Sequence, residues 1–228
     1  MASVWAIVVA AGAGSRFGRP KQYEPLGGRR VLDWSLAAAR QVADGVVVVV
    51  TPDRLGEPLA AASKAGAPDA PDAIVAGAAT RSGSVRAGLA VVPDDADVIV
   101  VHDGARPLAT AALFARVVEG VRQGADAAVP GVAVTDTLRR RSGAPVDRDD
   151  LVAVQTPQAF RAPALRRAHA GQAEATDDAS LVEAEGGKVI VVDGAPANLK
   201  ITHPVDLLVA ETLLRHADAP EPTRDPPP

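Results

Sequence analysis

Val4-Trp5-Ala6-Ile7-Val8-Val9-Ala10-Ala11-Gly12-Ala13-Gly14-Ser15-Arg16-Phe17-Gly18-Arg19-Pro20-Lys21-Gln22-Tyr23 is the stretch on which the fold class of this chain turns. The run 4–9 is apolar throughout, without the polar alternation of a half-exposed strand. Both of its faces should therefore be buried, as in a parallel strand covered on two sides. It breaks into a glycine-rich turn with Arg16, Arg19 and Lys21 close behind. A turn just past the carboxyl end of such a strand is where open α/β sheets bind ligands.

Working outward, apolar β-branched runs recur at 45–50, 73–75, 98–101, 127–129 and 189–192, with amphipathic stretches at 31–40, 82–91 and 111–122 between them. This alternation predicts a single-domain α/β protein over residues 1–216, with a mostly parallel sheet flanked by helices. Two segments break the pattern. Residues 132–154 are largely polar around Ser142-Gly143-Ala144-Pro145 and predict a β-hairpin arm protruding from the sheet. Residues 217–228, rich in Pro, Asp and Glu, predict a disordered tail. The stretch 66–72 reads as a variable loop.

Composition narrows the function. Apolar residues make up 47 % of the chain, enough for a core, and there is no cysteine for a disulfide or thiolate site. That suits a reducing cytoplasm. No basic stretch precedes the first apolar run, as a signal peptide requires. The run is also far shorter than the ~20 residues that span a bilayer, so no membrane association is expected. A net charge of −4 and 3 % aromatic residues argue against a nucleic-acid partner. An anionic small molecule needs only a local cluster of cations.

The turn after the first strand supplies that cluster. Its G-x-G-x-x-x-G spacing is not that of a dinucleotide fingerprint, and residues 46–50 run into Thr51-Pro52 without the expected acid. No Gly-Lys-Ser/Thr follows, so it is not a P-loop either. Small residues let backbone N–H groups approach a phosphate chain. Arginine adds a planar fork of donors and lysine a mobile point charge. The same residues would also make a tight turn with solvated cations.

Ala10-Ala11-Gly12-x-Gly14-x-Arg16 followed by Pro20-Lys21-Gln22-Tyr23 resembles the 2-C-methyl-D-erythritol 4-phosphate cytidylyltransferases of non-mevalonate isoprenoid synthesis. Further matches come in that family's order: Arg81-Ser82-Gly83-Ser84-Val85, His102-Asp103-Gly104-Ala105-Arg106-Pro107, Asp136-Thr137, Thr156-Pro157-Gln158, Thr176-Asp177-Asp178-Ala179 and Asn198-Leu199-Lys200-Ile201-Thr202. The resemblance covers roughly residues 4–214. Thr135 stands where a basic residue is expected, and Ala78-Ala79 where a glycine and an acid are expected.

The resemblance implies a Rossmann-like nucleotidyltransferase sheet and CMP transfer from CTP to a small polyol phosphate, with Mg²⁺ or another divalent cation. Arg16, Lys21, Arg148 and Lys200 would be catalytic. Ala10, Ala11, Gly12, Gly14, Ser84, Asp103 and Ala105 would bind CTP, with Asp103 also facing the metal. Arg106, Thr137, Arg148, Thr156 and Lys200 would bind the acceptor. The arm would cross a two-fold axis, so that Arg148, Thr137 and Thr156 serve the neighbouring subunit of a homodimer. Beside these readings, Asp103 could simply cap a turn, Ser84 could be an ordinary first-turn residue, and Arg148 a solvated hairpin arginine. His102 reads as scaffold. Competing functions are a cytidylyltransferase for another polyol phosphate, such as ribitol 5-phosphate, and a non-catalytic nucleotide-binding regulatory subunit. A fused second enzyme is not expected in a chain of this length.

Overall fold

The computed structural model describes residues 2–56 and 70–217. Strand β1 (Val4–Val9) lies at the middle of the sheet, between β4 (Gly45–Val50) and β6 (Val98–Asp103), parallel to both. β5 (Ala73–Ala76) continues the parallel order beyond β4. Every residue of β4 and β6 is buried. The uninterrupted valine and isoleucine runs reflect helices packed on both faces.

Alternate residues of the same strands feed two separate cores. Ala6, Val8, Val48 and Val100 pack with Leu36 of α1 (Val31–Arg40) and Phe114 of α3 (Ala111–Arg122). Ile7, Val49, Ile99 and Val101 point the other way, onto Val85 and Leu89 of α2 (Arg81–Leu89). The Thr80 hydroxyl caps α2 by accepting from the Gly83 N–H at 3.0 Å, so this helix begins one residue before the sequence expectation and ends two residues sooner.

Three helices and one strand of the main sheet were not legible in the apolar pattern. β11 (Gln158–Arg161) inserts antiparallel between β6 and β7 (Ala127–Ala133). Only Ala159 and Phe160 separate its polar ends, too short a run to register as a strand. α4 (Ala162–His169) carries Pro163 in its first turn and two arginines near its end, α5 (Asp178–Ala184) is seven residues long, and α6 (Pro204–Ala217) opens on a proline. Leu165 and Val182 join the second core. β12 (Val189–Asp193) lies parallel on the far side of β7, since Ala128 pairs both Ala159 and Ile190. The mostly parallel sheet therefore stands, with antiparallel insertions in its second half.

Residues 132–154 contain a short hairpin that is not wholly detached from the sheet. Short strands β2 (Pro25–Leu26) and β3 (Arg29–Arg30) form a separate hairpin ahead of α1. In the arm, β8 (Leu138–Arg139) pairs antiparallel with β9 (Pro145–Val146) around Gly143, whose φ of 94° suits a residue without a side chain. The return strand β10 (Val152–Val154) pairs back onto the end of β7. Of the tail expected at 217–228, only Ala217 lies among the described residues, and it closes α6. In the expected loop at 66–72, residues 66–69 fall outside them. Asp72 is firmly held, accepting from the Val46 N–H and pairing with Arg40, both at 2.7 Å.

Phe160 is fully buried at the centre of β11. Truncation to alanine should cost ~3–5 kcal/mol of stability. Urea denaturation should show a lower midpoint with an unchanged slope; an unaltered midpoint would mean that β11 is not part of the cooperative core.

Candidate active site

The turn after β1 is built around Gly14. Its φ is +69°, and a Cβ there would stand 2.0 Å from the carbonyl oxygen of Arg19. The Gly14 carbonyl accepts from the Phe17 and Gly18 N–H groups, both at 2.9 Å. Gly14 is buried in the turn and does not line the cleft. It shapes the loop. Phe17, buried against Ile201 and Ala210 of α6, ties the loop to the body.

The next motif holds the loop from beneath. Residues Lys21–Tyr23 form one short helical turn. Gln22, 3 % exposed, donates from Nε2 to the carbonyls of Ala10 at 2.7 Å and Gly12 at 3.0 Å. Its neighbour Lys21 lines the cleft. The sequence reading missed the role of Gln22; the available signal was an amide side chain beside a cleft lysine in a short motif.

Together these elements form a cleft of about 430 Å³ at the carboxyl ends of β1 and β6. Among the expected residues, Ala10, Ala11, Gly12, Ser84, Asp103, Ala105, Lys21 and Lys200 line it. The Ala10 N–H is taken by the Val49 carbonyl at 2.7 Å. Gln22 thus holds the Ala10 and Gly12 carbonyls, and Ala11 and Gly12 border the cleft. Ser84 bonds the opposite wall: Oγ lies 2.9 Å from the Thr80 carbonyl and accepts from the Ala78 N–H at 3.1 Å. It is thus a first-turn residue that also borders the cleft.

Charge is concentrated at one end. Lys200 Nζ lies 2.6 Å from Asp103 Oδ2, and Arg81 Nε lies 3.4 Å from Oδ1. Burial alone would raise the Asp103 pKa, but Lys200 and then Arg81 hold the carboxyl well below its usual range. The Lys21 ammonium is shifted down by burial, then by Lys200 and Arg16, with partial compensation from Asp103 and Asp206. Arg16 itself is exposed on the loop. Lys21, Arg81 and Lys200 thus line a cleft whose buried end holds a single carboxylate, an arrangement suited to a polyanion.

Beneath Asp103 lies a neutral scaffold. The Asp103 N–H donates to Thr156 Oγ1 at 3.0 Å, and that hydroxyl is 3.2 Å from His102 Nδ1. His102 Nε2 is 3.3 Å from the Arg106 carbonyl, which requires the proton on Nε2 and leaves Nδ1 to accept from Thr156. Burial lowers the His102 pKa to about 4. His102 is scaffold, as expected. Thr156 is buried, and its hydroxyl is engaged on its own chain in support of Asp103.

Lys200 is not on a strand. Its segment is extended and irregular, clipped by Ile201 N–H to the Ala105 carbonyl at 2.8 Å. Asn198 donates to the Thr156 carbonyl at 2.9 Å and to Gln155 Oε1 at 3.2 Å. Arg106 donates from Nη1 to the Asn198 carbonyl at 2.8 Å and does not line the cleft. Thr137 and Arg148 lie exposed on the arm, away from the cleft of their own chain. Arg148 donates to the Thr135 carbonyl and makes no ion pair with its acidic neighbours among the described residues.

No group of three or more potential ligands is gathered for a metal among the described residues. One carboxylate is nonetheless sufficient for a Mg²⁺ that arrives on a triphosphate, since that ion takes one or two protein carboxylates plus substrate oxygens. Asp103 fits this use.

A parallel sheet whose carboxyl edge carries a small-residue loop and converging cations is suited to holding a nucleotide. The chain belongs to the family described as IspD, 2-C-methyl-D-erythritol 4-phosphate cytidylyltransferase, whose model matches residues 4–216. The 2-C-methyl-D-erythritol 4-phosphate cytidylyltransferase of Nocardia farcinica is 44 % identical over 223 residues, covering 93 % of this chain and 94 % of that protein. The bifunctional enzyme IspD/IspF of Solidesulfovibrio magneticus is 42 % identical over 222 residues, 90 % of this chain and 56 % of that protein. The chain thus spans about half the length of such bifunctional relatives. The crystal structure of the Thermus thermophilus cytidylyltransferase superposes with a TM-score of 0.77 at 39 % identity, covering 94 % of this chain and 100 % of that one.

Gln22→Leu keeps the side-chain bulk but leaves the Ala10 and Gly12 carbonyls unpaired. An orphaned buried acceptor costs ~1–3 kcal/mol, so CTP should bind at least about tenfold more weakly by calorimetry. Unchanged affinity would show that Gln22 does not set the loop.

Proposed function

We propose that this chain transfers CMP from CTP to 2-C-methyl-D-erythritol 4-phosphate, giving 4-diphosphocytidyl-2-C-methyl-D-erythritol and pyrophosphate in non-mevalonate isoprenoid synthesis. The observation that carries this reading is the convergence of Lys21, Arg81 and Lys200 on a cleft floored by Asp103, with the Arg16 charge close enough to act on Lys21. An acceptor phosphate oxygen attacks the α-phosphorus of CTP, the bond from that phosphorus to the oxygen bridging to the β-phosphate breaks, and pyrophosphate leaves with the electron pair. A phosphate monoester is already largely ionised near neutral pH, its second pKa being about 6, so no general base is needed. That agrees with a neutral, buried His102. The chain's work is to hold two polyanions together and offset the charge of the crowded transition state.

In this reading Lys21 and Arg16 face the triphosphate, and Lys200 exchanges Asp103 for the acceptor phosphate. Ala11 and Gly12 offer amides to the nucleotide, and Asp103 meets the ribose or a triphosphate-borne Mg²⁺. Bound Mg²⁺ supplies charge neutralisation to the departing pyrophosphate. Residues 1–216 form the catalytic domain. No helix among the described residues is long and apolar enough to cross a membrane, and a cytoplasmic protein is the reading taken here. The second subunit of a homodimer supplies Arg148 and Thr137 from its arm. Support for this comes from the exposure of both residues and their absence from the cleft of their own chain.

Pyrophosphate release with CTP, Mg²⁺ and a panel of polyol phosphates tests the assignment. Turnover should be greatest with 2-C-methyl-D-erythritol 4-phosphate and should vanish with EDTA. Preference for ribitol 5-phosphate would overturn it. Lys21→Ala and Arg16→Ala should each lower kcat by ~10²–10³ with little change in Tm. For the shared site, mixing inactive Lys21→Ala and Arg148→Ala proteins should restore activity, because a heterodimer then has one intact site. No recovery from proven heterodimers would confine Arg148 to its own chain.

A further inference from the structure

Two of the sequence motifs, Arg81-Ser82-Gly83-Ser84-Val85 and Thr176-Asp177-Asp178-Ala179, meet at a place the reaction has not yet used. Arg81, the first residue of α2, lines the cleft and bridges two carboxylates. Its Nη1 donates to Asp178 Oδ2 at 2.7 Å, across 97 positions of sequence, while Nε faces Asp103 Oδ1 at 3.4 Å. Asp178 is 0 % exposed at the start of α5. Its other oxygen, Oδ1, lies 3.0 Å from Nε2 of the buried His169 on α4. Both oxygens of Asp178 are therefore occupied, and its carboxylate cannot turn without breaking a buried contact.

The two cations on Asp103 are unlike. Lys200 approaches Oδ2 on a flexible stem, its side chain 36 % exposed at the open side of the cleft. Arg81 approaches Oδ1 with its far end tied to a buried acid. When an acceptor phosphate draws Lys200 away, Asp103 keeps one cation whose position does not change. The anchor also works in the opposite sense. The short contact is on Asp178 and the long one on Asp103, so Asp178 holds the guanidinium back from a close pair that would block the carboxylate.

We infer that Asp178 is a positioning residue for CTP binding: through Arg81 it keeps the Asp103 carboxylate oriented and open to the nucleotide. This rests on the reading of Asp103 as a nucleotide-binding residue. With Asp178 neutral, Arg81 should close on Asp103 and compete with the nucleotide for it.

The test is calorimetric titration of the intact protein with CTP, without acceptor, beside the KM values of both substrates. Asp178→Asn should weaken CTP binding by roughly 10-fold or more, the scale of a hydrogen bond to a charged group. KM for the polyol phosphate should stay within about twofold of the parent value. Asp178→Asn combined with Arg81→Gln should bind CTP no worse than Arg81→Gln alone, because the acid acts only through the arginine. Additive losses, or parental CTP affinity in a stably folded Asp178→Asn protein, would overturn the inference. If Asp178→Asn fails to fold, Arg81→Lys decides: a lysine keeps the charge but cannot span both acids, so parental affinity there rejects the anchor. Asp103→Asn separates the two levels. Normal CTP binding in that variant would sink the underlying reading, whereas weak binding there with normal binding in Asp178→Asn would sink this inference alone.

Discussion

Asp103 stands at the buried carboxyl end of a central strand, where an ionised carboxylate is unfavourable unless cations and donors surround it. The chain meets this constraint by bringing distant segments to one point. Arg81 comes from the helix after β5, Lys200 from the segment before α6, and Thr156 from the turn before β11. Each arrives with its own support: Asp178 behind Arg81, the Ile201 to Ala105 hydrogen bond beside Lys200, His102 beneath Thr156. The carboxylate is thus a node joining the two halves of the sheet, and the cleft exists where they meet.

The glycine-rich loop solves a second problem, that of leaving amides free without leaving a loop loose. Gly14 makes a turn no other residue could make without displacing the Arg19 carbonyl. Gln22 takes the inward carbonyls, and Phe17 fills a small core of its own. The loop is thus held from its inner side by hydrogen bonds and apolar packing. A preformed donor array of this kind binds phosphate without the entropic cost of ordering it first.

The arm answers to different rules. Most of its residues are exposed, and its strands β8 and β9 are two residues each. A two-stranded ribbon of that size has little stability by itself. Leu151, Val152 and Val154, apolar and exposed where the arm rejoins the sheet, are what a second subunit would cover.

Much of this was legible in the sequence because it depends on local pattern. Unbroken valine runs marked the five parallel strands and the far-edge strand, helical spacing marked α1, α2 and α3, and the glycine-cation loop with its companion motifs marked the family and most of the cleft. The short polar-ended β11 and the proline-led helices were not legible, since their stability comes from packing onto β6 and β7 and not from their own periodicity. The same holds for the residues behind the site. Gln22, Arg81 and Asp178 act through hydrogen bonds across the fold, and the support that Thr156 gives Asp103 comes from 53 residues away. By itself the sequence determined which strands form and which chemistry the loop can do, because side-chain alternation and charge spacing are written along the chain. Only the tertiary structure decided which cation faces which acid, because those partners lie as far as 97 residues apart.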